Sequence, residues 1–278
     1  MVYIWRKKVE HQYIVVDGVL TPDSSLSDLI PEGKVVYEVV RLIDGKPLFW
    51  HDHFLRLVES CRIAQLNFDL PSGSFTKAIH DLVIANNIQS VNCKIEVFMV
   101  GGLLHYRLLV LPSHYPDQNL YATGISLGFL HEERQDPNAK VVNASVRSKA
   151  DRLIKEGDYY EVLLVNGKGE ITEGSRSNVF FIKGSTLITP PVVDVLPGIT
   201  RYQVLKIAQK LEIPIVEVAV NVNDVSDFDL MFITGTSPML LPAARVESHN
   251  YNPDNAIFKS LLNEYRQNVA NDLNAFDY

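Results

Sequence analysis

The spacing of apolar positions divides the chain into a succession of strands and helices. Residues 35–43 are rich in Val and stop at Asp44-Gly45, and the apolar pattern resumes at Leu48-Phe49-Trp50. Asp-Gly is favoured two-residue turn chemistry, so the stretch predicts a hairpin. Over residues 51–65 the apolar positions fall at Phe54, Leu57, Val58, Cys61, Ile63 and Ala64, the spacing of one helix face. Residues 75–85 predict a second helix that ends near Asn86-Asn87. Strands are predicted over 91–100 and 106–111, turned by Gly101-Gly102. Residues 112–118, with Pro112 and Pro116, read as a linker.

The second half repeats the alternation with other lengths. Residues 122–129 predict a strand, and 144–156 a helix stopped at Gly157-Asp158. Residues 160–165 and 170–172 flank Asn166-Gly167, a second hairpin signal. Strands are predicted over 179–182 and 186–189, a helix over 200–211, and further strands over 214–220 and 230–234. A closing amphipathic helix over 256–273 carries Ile257, Leu261, Tyr265, Val269 and Leu273 along one face. No internal repeat is visible. The expected architecture is mixed, α+β or α/β, in two domains: a smaller one over residues 1–118 and a larger one over 119–278.

Composition narrows the class. With 278 residues and 46% hydrophobic positions, the chain can bury a sizeable core without staples. The net charge of −7 is spread without long runs, so no basic face for nucleic acid is expected. Two cysteines without C-x-x-C spacing argue against a disulfide framework or a zinc site. No apolar run approaches the length of a membrane span, and the first residues have no secretory pattern. The expectation is a soluble, cytoplasmic protein that binds neither nucleic acid nor membrane.

Candidate chemistry sits at a few turns. Leu196-Pro197-Gly198-Ile199-Thr200 leads into a predicted helix. A helix start offers amide N–H groups and a positive dipole to an anion, and Gly198 permits close backbone approach. Thr234-Gly235-Thr236-Ser237 follows a predicted strand with three hydroxyls around one glycine. Arg56, on a helical stripe with His53, has the planar fork suited to a phosphate. Glu173-Gly174 ends a strand just before Ser175-Arg176-Ser177-Asn178, and a buried carboxylate there needs a cationic partner. Lys140, followed by Val141-Val142, is placed for a depressed amine and Schiff-base chemistry, with Lys149 as its decoy. Taken singly, each is more often an ordinary turn, an exposed acid or a solvated cation.

Their order along the chain resembles the class IV, or fold-type IV, family of pyridoxal-phosphate enzymes, over about residues 35–242. The family includes branched-chain and D-amino-acid aminotransferases and aminodeoxychorismate lyases. The residues that carry the resemblance run from Ile171 to Phe180, from Leu196 to Arg201 and from Phe232 to Ser237. His53-Phe54-Leu55-Arg56-Leu57 with Ser60 matches its N-terminal pattern. The resemblance implies a two-domain fold with a smaller N-terminal α/β domain and a larger C-terminal pseudo-barrel domain. It implies pyridoxal 5'-phosphate held by Lys140 as a Schiff base. It also implies Glu173 at the pyridine nitrogen and a phosphate site of Arg56, Ile199, Thr200, Thr236 and Ser237, with Ser177, Asn178 and Gly198 also binding the cofactor. A homodimer is implied as well.

Within the family the substrate side is read from Tyr37, Val39, His105 and Arg107. The lyases tend to carry a Thr near the position of Val39, whose hydroxyl relays protons. Val39 has none, which favours a transaminase exchanging an amino group between an α-amino acid and a 2-oxo acid. The strand ending near Val100 lacks the Arg of the D-amino-acid enzymes, and His105 and Arg107 are the candidate substitutes for a carboxylate clamp. The Tyr that branched-chain enzymes carry after the lysine is replaced by Asn143-Ala144-Ser145. The alternative activity is release of p-aminobenzoate and pyruvate from aminodeoxychorismate. A relative that binds the cofactor without turnover is the reading from another class.

Overall fold

A computed structural model describes residues 12–24, 29–134 and 136–278. The chain groups into two compact units that interleave along the sequence. The first comprises residues 1–114, Lys140–Val142 and Asp272–Tyr278, and the second Tyr115–Ala139 and Asn143–Asn271. Lys140 therefore belongs by its contacts to the first unit, although it lies well beyond residue 118.

The first unit begins with β1 (Tyr13–Val16), β2 (Val19–Pro22), β3 (Glu32–Ile43) and β4 (Lys46–Pro47). Then come α1 (Trp50–Ile63), α2 (Ser72–Ala85), β5 (Ser90–Val100) and β6 (Leu103–Leu111). The strands form an antiparallel sheet in the order β2-β1-β6-β5-β3-β4. The expected hairpin is present, with Asp44 and Gly45 both at positive φ. Trp50, expected to continue the strand, instead opens α1.

From Val36 onward β3 alternates strictly between buried and half-buried positions. Val36, Val40 and Leu42 join Cys93, Ile95 and Val97 of β5 in a core that Leu57, Phe75, Ile79 and Leu82 of the two helices close. A period of two sends every second side chain of a strand to one face, so Tyr37, Val39 and Arg41 lie on the other. Glu38 occupies a core position in this alternation and is fully buried.

Residues 140–142 extend this sheet. Val141 bridges Val36 in antiparallel sense, Tyr37 N–H donates to Lys140 O at 2.9 Å, and Val142 N–H to Val35 O at 3.0 Å. The C-terminal residues are tied in as well. Lys46 Nζ donates to the carbonyls of Leu273 and Phe276, and Phe49 N–H donates to Asp272 Oδ2 at 2.6 Å. Phe49 caps α1 in a left-handed conformation and has no side-chain acceptor of its own.

The second unit runs α3 (Leu120–Thr123), β7 (Ile125–Leu130), α4 (Ala144–Gly157), β8 (Glu161–Val165), β9 (Glu170–Gly174), β10 (Asn178–Lys183) and β11 (Thr186–Thr189). It continues with α5 (Ile199–Lys210), β12 (Ile215–Glu217), β13 (Val220–Asn221), β14 (Leu230–Gly235), β15 (Met239–Val246), β16 (His249–Asn250) and α6 (Ala256–Ala275), of which α6 ends in the first unit's residues. The sheet order is β12-β11-β10-β14-β15-β7-β8-β9-β13, with β16 on β15. All of β8 and most of β10 are buried on both faces, as continuous apolar runs predict. In this core Phe180 stacks on Phe232, and Phe258 meets Phe232 at a tilt of 60°, each pair with centroids 5.2 Å apart.

Two further expectations change. Residues 122–123 belong to the short helix α3, which Gly124 ends at positive φ. Residues 214–220 split into two strands with different partners, β12 on β11 and β13 on β9. The strands β1, β2 and β15 were not marked by alternation long enough to read. Among the described residues, no helix is long and apolar enough to cross a membrane.

Replacing Asp272 by Ala removes the acceptor for the strained N-terminus of α1. A loss of about 1–2 kcal/mol is expected. It is measured as a lower urea midpoint at unchanged m-value, and an unchanged midpoint would refute the role.

Candidate active site

In the first unit, one stripe of α1 carries His53, Arg56 and Ser60, three to four residues apart and all buried. The first two converge on Glu38. Arg56 Nε donates to Oε1 at 2.8 Å and Nη2 to Oε2 at 2.9 Å, while His53 Nδ1 lies 2.6 Å from Oε2. Burial alone would raise the Glu38 carboxyl. The Arg56 charge and the His53 hydrogen bond outweigh it and hold the pKa at about 2. Burial lowers the pKa of His53, and the Glu38 contacts only partly oppose it. His53 is therefore neutral at pH 7. Because ionised Glu38 only accepts, the His53 proton is assigned to Nδ1.

The third residue of the stripe reaches Lys140. The Lys140 backbone N–H donates to Ser60 Oγ at 3.2 Å, and Lys140 Nζ lies 4.9 Å from the Tyr37 ring centroid. The lysine is thus fixed by its backbone on both sides, to β3 and to α1, with its side chain on the Tyr37 face of the sheet. Tyr37 and Val39 are half-buried on that face. His105 is engaged by Asp17 at 2.7 Å, and Arg107 by Glu96 at 2.6 Å. Both were candidate clamp residues, and both already hold a carboxylate of the protein.

In the second unit, Glu173 ends β9 buried. Its Oε1 takes Arg134 Nε at 2.9 Å, and its Oε2 takes Leu196 N–H at 3.1 Å and Asn178 Nδ2 at 3.3 Å. The cationic partner that burial demands is therefore supplied by the protein itself. Arg134 lies in an irregular segment, where no local pattern marked it. Asn178 also donates to Leu196 O at 2.9 Å, joining the Glu173 turn to the start of α5. Ser177 is held by a second buried carboxylate, Glu161, which also accepts from Ser175 Oγ at 2.7 Å. Burial raises the pKa of Glu161. Lys149, the decoy lysine, pairs with Glu132 at the surface.

The α5 N-terminus has the features of an anion cradle. Gly198 precedes it without a side-chain cap, no acid stands in its first turn, and Ile199 and Thr200 are buried there. A Cβ on Gly198 would meet Asn178 Oδ1 at 1.9 Å, so only glycine fits. Nearby in sequence to the other hydroxyl turn, Thr234 Oγ1 is buried with no hydrogen-bond partner. Thr236 and Ser237 stand half-buried in the turn after β14. An uncapped helix start, a cradle closed to any Cβ and an orphaned buried hydroxyl fit a phosphate-bearing cofactor.

A family model described as Amino-transferase class IV matches residues 35–246. The chain is 31% identical over 234 residues to a probable branched-chain-amino-acid aminotransferase of Thermotoga maritima, covering 82% of this chain and 83% of that one. It is 27% identical over 232 residues to a D-alanine aminotransferase of Listeria monocytogenes, covering 77% and 79%. The crystal structure of a putative branched-chain amino acid aminotransferase from Thermotoga maritima superposes with a TM-score of 0.78. It covers 94% of this chain and 97% of its own at 28% identity.

Glu38→Gln leaves the Arg56 charge buried without its counter-ion, and a cost of about 3–5 kcal/mol is expected in urea unfolding. The pH dependence has a definite sign. Glu38 is depressed from 4.5 to about 2, so its contribution is full above pH 4.5 and is lost as pH falls toward 2. His53, also depressed, adds a loss that begins as pH falls below 6.5. The variant should show a flatter acid limb of stability between pH 4.5 and 2, and a limb as steep as the wild type's would refute the assignment.

Proposed function

Because the chain belongs to the class IV aminotransferases, which work with pyridoxal 5'-phosphate, we propose that Lys140 is the residue that holds the cofactor aldehyde and moves the proton of transamination. The observation that carries this reading is the double anchoring of the Lys140 backbone to β3 and to Ser60, with its amine against Tyr37. A proton carrier must return to the same place twice in a cycle, and a strand-bound backbone limits the search to side-chain rotation.

When bound, the cofactor supplies an electron sink for the pair released as the substrate loses its α-proton. Lys140 Nζ takes that proton and later returns one. Glu173 holds the ring nitrogen protonated, and Arg134, Asn178 and Leu196 N–H fix its carboxylate for that task. Ile199 and Thr200 at the start of α5 bind the phosphate, with Arg56, Thr236 and Ser237 as further donors. Gly198 keeps the approach open, and Ser177 holds the turn that carries Asn178. Tyr37, Val39, His105 and Arg107 belong to the substrate side.

The reaction is exchange of an amino group between an α-amino acid and a 2-oxo acid. Val39 supports this over elimination of pyruvate, because its side chain has no hydroxyl to relay a proton. The protein acts as a homodimer, which the family resemblance implies. It acts in the cytoplasm, a placement supported by two buried cysteines, Cys61 and Cys93, that remain free thiols.

In Lys140→Ala, the visible absorbance of the lysine-bound cofactor and multiple turnover should both be lost. A wild-type spectrum in that variant contradicts the assignment. Incubation of the wild-type protein with aminodeoxychorismate should yield neither pyruvate nor p-aminobenzoate, and formation of both would replace the transaminase with a lyase.

A further inference from the structure

The face of the first sheet that carries Tyr37 holds a charged cluster with an excess of cations. On β5, Lys94 lies beside Val39 and Glu96 beside Tyr37, and Arg107 of β6 pairs with Glu96. Lys94 Nζ is 2.5 Å from Glu96 Oε1, and Arg107 Nε is 2.6 Å from Oε2. Burial raises the Glu96 carboxyl, but the two cations outweigh it and keep it ionised. Arg107 is further fixed over the Phe98 ring, 4.8 Å from its centroid, and by donation to Leu29 O at 3.1 Å. Among the described residues, two positive charges thus share one negative charge, and Arg107 is the partner held by further contacts.

Lys94 addresses the same ring as Lys140. Its Nζ lies 5.2 Å from the Tyr37 centroid, against 4.9 Å for Lys140. The two lysines come from opposite edges of β3, since Lys140 bonds Tyr37 on one side and β5 pairs along the other. Their backbones are therefore two strand spacings apart across the sheet and two residues apart along it, roughly 12 Å in all. In a substrate whose amine takes the place of the Lys140 amine, the α-carboxylate is one bond from the reacting carbon, and a carboxylate at the far end of the side chain spans more of the separation between the two lysines.

Resting on the transaminase reading, we propose that Lys94 determines specificity by binding the side-chain carboxylate of a dicarboxylic amino acid or 2-oxo acid. Glu96, held by Arg107, positions it. The substrate carboxylate supplies the second negative charge that the cluster lacks. A charge-assisted hydrogen bond of this kind is lost completely with an apolar side chain and kept in part by another cation. The chain then favours acidic substrates over branched aliphatic ones.

The test uses the cofactor-loaded protein with leucine and with glutamate, both enantiomers of each, in single-turnover and steady-state assays. In Lys94→Met, the ratio of kcat/KM for glutamate to that for leucine should fall at least tenfold, with the loss in KM for glutamate. Lys94→Arg should restore most of the ratio. An unchanged ratio in Lys94→Met, or an equal fall in kcat for both donors, overturns the role of Lys94 while leaving the transaminase reading intact. A wild-type protein that converts no donor in the single-turnover assay overturns both.

Discussion

The first unit is organised around a carboxylate that has been taken out of water. Glu38 stands where the strand's alternation calls for a hydrophobic residue, and a buried charge there is tolerable only with its partners in place. Arg56 and His53 supply them from one face of α1. The ion cluster therefore fixes the rotation of α1 against β3. Ser60, one turn further on, is then set to receive the backbone of Lys140. On the opposite face of the same strand, Tyr37 is left to meet the lysine side chain. A change of one residue in register would exchange the two faces and dissolve both arrangements.

The second unit solves a similar problem with a different carboxylate. Glu173 is buried at a strand end, and Arg134, Asn178 and a backbone N–H share its two oxygens. Asn178 binds both Glu173 and the carbonyl of Leu196, so the acid and the start of α5 form one hydrogen-bonded body. Glu161 underlies the intervening serines in the same way. Such fully connected polar networks are rigid because breaking one bond strands a buried group. Rigid placement is what proton transfer and phosphate binding require of a protein that leaves the electronic work to a cofactor.

The two sheets are of the fold-type IV class. That architecture is shared by enzymes whose names differ in substrate, from branched-chain amino acids to D-alanine. The fold therefore goes with the cofactor chemistry and does not by itself decide the substrate. In this chain the Tyr37 face of the first sheet carries Lys94, Glu96 and Arg107, a charged set joined by ion pairs.

Much of this was legible from the chain alone. Asp44-Gly45 placed the first hairpin, the spacing of Leu57 and Cys61 placed α1, and the order of the segments around Lys140, Glu173 and Gly198 pointed to the family whose model matches. These signals are local, since turn chemistry, helix periodicity and a glycine before a helix depend on neighbours a few residues away. What only the tertiary structure decided are the partnerships over long separations. Glu38 with Arg56, Arg134 with Glu173, and the pairing of residues 140–142 with β3 join segments whose sequences carry no trace of one another. Arg107 and His105 likewise read as available cations until the fold brought Glu96 and Asp17 beside them. A charge in a sequence states what a residue offers, but which opposite charge accepts it is fixed by distance and burial, and those exist only once the chain has folded.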